Sequence, residues 1–469
     1  MGRRLLRSTA VSAVLALGLS TAQATADTLA DALVGAYNHS GLLDQNRALL
    51  RAADEDVPIA LAQLRPIINW TANITQTFGD SRSQLGVSSS VESTDVSLGL
   101  TASLQIYDGG ADAARVEATK EIVLATRATL LDVEQTLLLN AVTAFVNVGQ
   151  QGNLLALSQN NLRLLQEELR AANDRFEVGE ITRTDVSLAE AAVANARSNV
   201  ADAQRDLIQA QAFYTNVVGR PPGRLSPLPA LPQTEKRIPE AQAVAVRNHP
   251  DMENARRQVS SNELLVTAAV RDTLPVVTLD GSLGLQEDIG DVDSSSTGSV
   301  GINLVGPIYQ GGALSALERR AMAVRDASRG NLHNIRHIVQ QDVVNAISDL
   351  EAAQASLAAS ERQIRAARIA FQGVREEATL GARTTLDVLD AEQDLLDAET
   401  NRISARAAQY IAAYSVLESM GLLTAQRLKL PVQLYDPAAY YNLVKNGPAK
   451  RSRQGKQLDR VLRALQVDD

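Results

Sequence analysis

His333 and His337 are the first side chains whose spacing could do chemistry, because four residues apart on a helix both imidazoles reach one metal ion. The metal-protease pattern needs a glutamate after the first histidine, and residue 334 is Asn, so the pair reads as part of a solvated helix face. No glycine-rich loop followed by Lys and Ser or Thr offers a phosphate cradle. The sequence holds no cysteine, which removes thiolate metal sites, a disulfide framework and an N-terminal acylation site. Catalytic, cofactor and metal residues are therefore expected to be absent, and the chain is not read as an enzyme. Carboxylates are better placed. Asp387 and Asp390 follow Gly381 and Thr384, and Asp185 follows Gly179. At such positions a threonine can cap a helix and acids complement the positive end of its dipole.

The elements that position these acids are written twice. Ile106-Tyr107-Asp108-Gly109-Gly110-Ala111 returns as Ile308-Tyr309-Gln310-Gly311-Gly312-Ala313, an offset of 308 − 106 = 202, and Gly179 and Asp185 return as Gly381 and Asp387 at the same offset. Each half reads as helix, Pro, strand, polar loop, strand, Tyr-x-Gly-Gly, very long helix, Gly-containing turn, helix. A helix from about Thr28 to Leu64 is expected to stop before Pro66, as Pro275 stops its counterpart. Gly110 to Glu177 contains no proline, and Val116, Val123, Leu130, Leu137 and Ala144 recur every seven residues. After the turn Val186, Val193, Val200 and Leu207 do the same, with Ala189, Ala196, Ala203 and Ala210 three positions on; Leu389, Leu396, Ile403, Tyr410 and Leu417 serve the second half. A sustained seven-residue period is the seam of a left-handed coiled coil. With aromatics at 3 % of the chain, narrow helix-to-helix seams suit the composition better than a wide core.

Four strands are expected, over about Ile67–Phe78, Asp95–Tyr107, Val276–Gln286 and Ser299–Tyr309, with polar loops at Asp80–Thr94 and Glu287–Gly298. Val96, Leu98, Leu100, Ala102, Leu104 and Ile106 alternate with Ser97, Gly99, Thr101, Ser103 and Gln105, the pattern of a transmembrane strand with a lipid face and a lumen face. Tyr107 and Tyr309, at equivalent strand ends, suit an aromatic girdle at the headgroup level as well as packing where strand meets helix. Four strands cannot close a barrel, and an open edge in lipid leaves backbone groups unpaired. Two or three chains must pool their strands.

The first residues read as an address. Arg3, Arg4 and Arg7 precede an apolar run from Ala10 to Leu19 and then Ala24-Thr25-Ala26, so residues 1–26 are expected to be a signal peptide and the mature chain to begin near Asp27. Losing three arginines takes the formal charge from −9 to −9 − 3 = −12, which excludes nucleic acid as a partner. The expected organisation is a first repeat over 27–220, a Pro-rich linker over 221–239, a second repeat over 240–421 and a segment over 422–469 whose tail carries Lys450, Arg451, Arg453 and Lys456 and then Val461, Leu462, Leu465 and Val467.

These pieces together resemble the TolC family of outer-membrane efflux and secretion proteins, over the mature chain to about Leu430. The resemblance is carried by Arg175-Phe176-Glu177-Val178-Gly179, Thr184-Asp185-Val186, Pro307-Ile308-Tyr309-Gln310-Gly311-Gly312, Gly381-Ala382-Arg383-Thr384 and Leu386-Asp387-Val388-Leu389-Asp390. It implies a mixed α and β membrane protein: a homotrimer whose four strands per chain make a twelve-stranded barrel, continuous with a periplasmic tunnel of twelve helical columns. It also implies an equatorial belt from the linker and the residues after Gly421. The partners implied are a periplasmic adaptor, an inner-membrane pump of ABC or RND type and outer-membrane lipid. Asp387 and Asp390 match acids that ring the periplasmic constriction, and Arg383, Thr184 and Asp185 match residues that latch the closed form. Where a latch tyrosine is usual this chain has Ala378. The other class of reading is a non-channel coiled-coil spacer of the envelope, not a lipoprotein in either case.

Overall fold

The duplication governs the architecture. In the computed structural model, which describes residues 27–465 apart from 83–85, 87, 236 and 290–293, the first half runs α1 (Leu29–His39), α2 (Gly41–Ala62), β1 (Ile67–Arg82), β2 (Ser88–Tyr107), α3 (Ala111–Glu177) and α4 (Arg183–Val218). The second runs α5 (Ile238–Asn248), α6 (Pro250–Arg271), β3 (Val276–Asp288), β4 (Ser294–Val305), α7 (Ala313–Thr379) and α8 (Thr385–Ser419), followed by α9 (Pro437–Val444) and α10 (Arg453–Leu465). The signal peptide expected over residues 1–26 lies outside the described residues. Helices before the hairpins are offset by 238 − 29 = 209 and those after them by 313 − 111 = 202, so the first hairpin is longer by 209 − 202 = 7 residues. Length drift since the duplication is therefore confined to the hairpins, while α3 and α7 have kept 67 residues each, about 100 Å of helix.

The single helix expected from Thr28 to Leu64 is two helices. Ser40 leaves the helical region (φ −71°, ψ 102°), ends α1 and starts α2, its side chain accepting a hydrogen bond from Leu43 N. A serine before a glycine is a local cap signal that the apolar period, continuous across it, conceals.

The four strands form one antiparallel sheet in chain order, β1-β2-β3-β4. The strands outrun their expected ends: β1 and β2 pair from Ile67↔Ser103 to Arg82↔Ser88, so most of the supposed polar loop is ladder. Ser and Asp on both faces give no apolar alternation to read, which is why that stretch was legible only as loop. Below it, register puts most apolar side chains on one face. Trp70, Leu100, Leu283 and Gly298 lie in one row across the strands, as do Ile74 and Val96, and Leu279 and Ile302. The opposite face carries Thr71, Gly99, Gly284 and Thr297, and Ser103 beside Asp280, whose carboxylate accepts a 2.6 Å hydrogen bond from the serine hydroxyl. The apolar face stands open: Trp70 is 77 % exposed and Val300 83 %.

One expected strand end is corrected. β4 stops at Val305, and Gly306 and Pro307 follow, so Tyr309 lies four residues beyond the strand instead of on it; Pro307 has no N–H to continue a ladder. Tyr107 does end β2. Between Gln105 and Tyr107 the register slips, so that Tyr107 faces Val277, on the apolar side of the sheet, where strict alternation from Gln105 would have aimed it at the polar side.

Strand passes to helix through paired glycines. Gly109 and Gly110 (φ +69° and +83°) and Gly311 and Gly312 (φ +59° and +82°) hold left-handed backbone, and a Cβ on Gly109 would come within 2.5 Å of Leu274 Cδ1. From there α3 packs between α2 and α6 along its first part and between α4 and α8 along its second, and α7 lies against α6 and then α8. Each level is thus a row of four helices, with α2 and α7, or α4 and α7, at its ends. Heptad positions Val116, Val123, Leu137, Ala144, Val186 and Val193 are buried as the seven-residue period requires. Midway along α3 the seam widens into the main core, where Leu138, Phe145, Tyr214, Met420 and Leu423 are buried and Leu225, Leu228 and Leu231 of the linker pack on. Asp27 ties the start of the described chain to that linker: its carboxylate accepts from Arg220 and from Gly223 N, each at 2.8 Å.

Candidate functional site

The two helical hairpins turn at positions offset by 202, and they are built alike. At the first, Gly179 (φ +81°) ends α3, with its N–H donating to Phe176 O and Glu180 N–H donating to Arg175 O; at the second, Gly381 (φ +78°) donates to Ala378 O and Ala382 to Glu377 O. Only glycine takes that conformation without strain, and the paired bonds satisfy the last carbonyls of the long helix. Val178 and Leu380, beside these glycines, are 71 % and 84 % exposed.

Each following helix starts with a reciprocal cap. Thr384 N and Oγ1 both donate to Asp387 Oδ2 at 2.8 Å, and Asp387 N returns a bond to Thr384 Oγ1 at 3.2 Å. Thr182 and Asp185 repeat the arrangement at 2.9, 2.7 and 3.4 Å. These bonds favour the ionised acid, so the Asp387 carboxyl, bonded by the Thr384 backbone and hydroxyl, lies below the usual carboxylate range; the Thr182 hydroxyl and backbone do the same for Asp185. Asp390 is exposed one turn further along α8.

Arg383 donates from Nε to Glu377 Oε2 at 2.8 Å, bridging the second turn to the end of α7. Both partners are about half exposed, so solvent screens the pair and it adds little to stability. Thr184 is exposed in the first turn of α4. Among the described residues the hydrogen bonds of Arg383 and Asp185 stay within their own turns, so a single chain does not join Arg383 to Thr184 or Asp185. The residue that holds Asp185 is Thr182, which the sequence reading passed over although Thr-x-x-Asp stands at both 182–185 and 384–387.

Behind the turns lies a carboxyl that no motif announces. Glu392 on α8 is 4 % exposed, and neither of its carboxylate oxygens has a hydrogen-bonding partner among the described residues. Burial first, then the nearby Glu168 of α3, push it up to about 7, while Arg375 of α7 pulls the other way. Arg375 itself bridges to Glu168 at 3.1 Å, so three helices meet around this group. Elsewhere, His333 and His337 bring their Nε2 atoms to 3.1 Å on an exposed face of α7, and no group of three or more potential ligands gathers among the described residues. No described helix is long and apolar enough to cross a membrane.

Known proteins are similar to this chain in sequence and fold. The family model described as "Outer membrane efflux protein" matches residues 33–220 and 243–422. The outer membrane efflux protein BepC of Brucella suis is 34 % identical over 93 % of this chain and 94 % of its own length, and the outer membrane protein TolC of Escherichia coli is 26 % identical over 88 % and 86 %. The crystal structure of the CmeC outer membrane channel of Campylobacter jejuni superposes with a TM-score of 0.77 over 86 % of this chain and 88 % of that one at 16 % identity, a likeness of fold. A duplicated chain with this sheet, these hairpins and these relatives belongs to the outer membrane efflux protein family, a family of export channels of the TolC type.

Proposed function

We propose that three copies of this chain close a twelve-stranded barrel in the outer membrane, and that their helices prolong it as a tunnel through the periplasm. The observation that carries this reading is the sheet: one face apolar and open, one face polar, and both edges, β1 and β4, unpaired among the described residues. In lipid such edges must pair, and only another copy offers the complementary edge. Three copies are favoured over two because an eight-stranded barrel is filled by its own side chains, whereas twelve strands leave a lumen. Four helices per level and per chain give twelve columns by the same closure. A coiled-coil spacer has no use for such a two-faced sheet.

The conduit is passive. A pump of the ABC or RND type in the inner membrane supplies the work, and a periplasmic adaptor joins it to the hairpin turns, where exposed Val178 and Leu380 offer apolar contacts. The relatives include a pyoverdine export protein and an alkaline protease secretion protein of Pseudomonas aeruginosa, so the barrel suits small molecules and polypeptides alike. Residues 1–26 act as the signal peptide, and Tyr107 and Tyr309 hold the periplasmic headgroup level. Asp387 and Asp390 ring the constriction, and Arg383, Thr184 and Asp185 latch neighbouring helices once copies assemble. The test is assembly with conductance: the mature chain, purified in mild detergent, should have the mass of a trimer and pass ions in a planar bilayer. A monomer without conductance would sink the reading.

A further inference from the structure

The residues after the second repeat do not end at the belt. Leu430 and Val432 pack on the main core, and from there the chain climbs α2. Arg47 lies over the Tyr435 ring at 5.4 Å, Tyr440 donates its hydroxyl to Glu55 at 2.7 Å, and a Cβ on Gly447 would lie 3.2 Å from Pro58 and 3.0 Å from Arg65 Nη1. The contacts advance along α2 in the direction of β1, whose first residue, Ile67, is two beyond Arg65. The tail has therefore reached the level where the chain enters lipid before α10 begins.

α10 is 13 residues long, about 20 Å, and its spacing divides it in two. Arg453, Lys456, Arg460 and Arg463, at steps of three and four, share one exposed face. Leu458, Val461 and Leu462 share the other, with Val461 39 % exposed. Residues 450–463 carry six bases against the lone acid Asp459, in a chain whose net charge is −9.

We infer that α10 is an interfacial anchor, lying along the periplasmic leaflet of the outer membrane with its leucines and Val461 in the acyl boundary and its bases on anionic phospholipid headgroups. A short helix of modest hydrophobicity with opposed basic and apolar faces partitions into that plane when held close to it, and the climb along α2 supplies the holding. Three copies would place three such helices around the foot of the barrel, resisting tilt of the long tunnel. This inference rests on the barrel reading, because only that reading puts lipid at the level of Ile67.

The chain has one tryptophan, Trp70, on the open apolar face of β1, which makes the test clean. The trimer is reconstituted in nanodiscs of phosphatidylcholine, with or without phosphatidylglycerol, using lipids brominated on their chains as quenchers. Trp70 of the unmodified chain reports the barrel; Trp70→Phe combined with Val461→Trp, or with Leu462→Trp, reports α10. The new indole should lose most of its emission to brominated lipid when phosphatidylglycerol is present and much less in phosphatidylcholine alone. Arg460→Gln with Arg463→Gln should abolish that difference. Quenching of the indole by aqueous iodide but not by lipid, shielding from both, or equal quenching in the two lipid mixtures overturns the inference. If Trp70 itself escapes brominated lipid, the barrel reading has failed instead.

Discussion

Among single residues Glu392 is the one whose chemistry is most at odds with its position. A carboxyl between three helices with no hydrogen-bonding partner among the described residues is tolerated by remaining neutral, and its rise from 4.5 to about 7 places the change of charge within the ordinary periplasmic range. Because the folded value lies above the unfolded one, the packing of α8 on α3 and α7 keeps its full contribution below about 4.5 and loses it as pH rises to about 7. Amide exchange of α8 around residue 392, corrected for intrinsic rate, should therefore lose about tenfold to a hundredfold protection between pH 4.5 and 8, and Glu392→Gln should remove the dependence. Identical profiles for the two proteins would refute it. Nothing in the sequence singled this residue out. A glutamate three residues from Leu389 in an acid-rich helix looks solvated, and only the third helix makes it buried. Asp387 was readable for the opposite reason: its partner, Thr384, is three residues away, within reach of inspection.

At the scale of elements, short-range rules made the long helices and the turns legible, and long-range pairing hid the rest. α3 was delimited from Gly110 to Glu177 because glycines in left-handed backbone mark both its ends and no proline interrupts it. The strand ends were misjudged where polar residues occupy both faces, and Tyr309 was placed on a strand because the repeat hid the one change that matters there, Pro307 in the place of Gln105, which stops β4 short. α9 was missed, and α10 was seen only as a basic then apolar stretch, since its address on α2 is a tertiary contact. Applied to the caps, the offset of 202 would have found Thr182 as the partner of Thr384. The caps also make a prediction. Thr384→Ala removes both bonds to Asp387 from the side chain and should cost α8 about 1 kcal/mol at its first turn. Exchange of the amides of Asp387 and Val388 should quicken about fivefold, with α4 unaffected, and Thr182→Ala should do the reverse. Equal fraying of both turns in either variant would contradict independent caps.

For the whole molecule, closure turns local features into collective ones. A free β edge, a row of four helices and a capped turn are each ordinary in one chain; the proposed three-fold closure would make them a sealed wall, a tunnel and a ring. In the proposed trimer six carboxylates, from Asp387 and Asp390, face one narrow axis, and Arg383 is paired with Glu377 beside them. Clustered charge in a confined aqueous mouth concentrates counter-ions, so the channel should prefer cations. Thr384 also holds the Asp387 carboxyl below its ordinary value, and a lowered value means that charge persists as pH falls past the usual carboxylate range near 3.8. In a salt gradient across a planar bilayer, the reversal potential should therefore report cation selectivity that survives mild acidification. Asp387→Asn with Asp390→Asn should bring it towards zero, whereas Thr384→Ala should leave it intact at neutral pH and shift its acid loss upward. A reversal potential unmoved by the double substitution would mean that these acids cap and solvate their helix without lining the pore, and the constriction would have to be sought elsewhere along the tunnel.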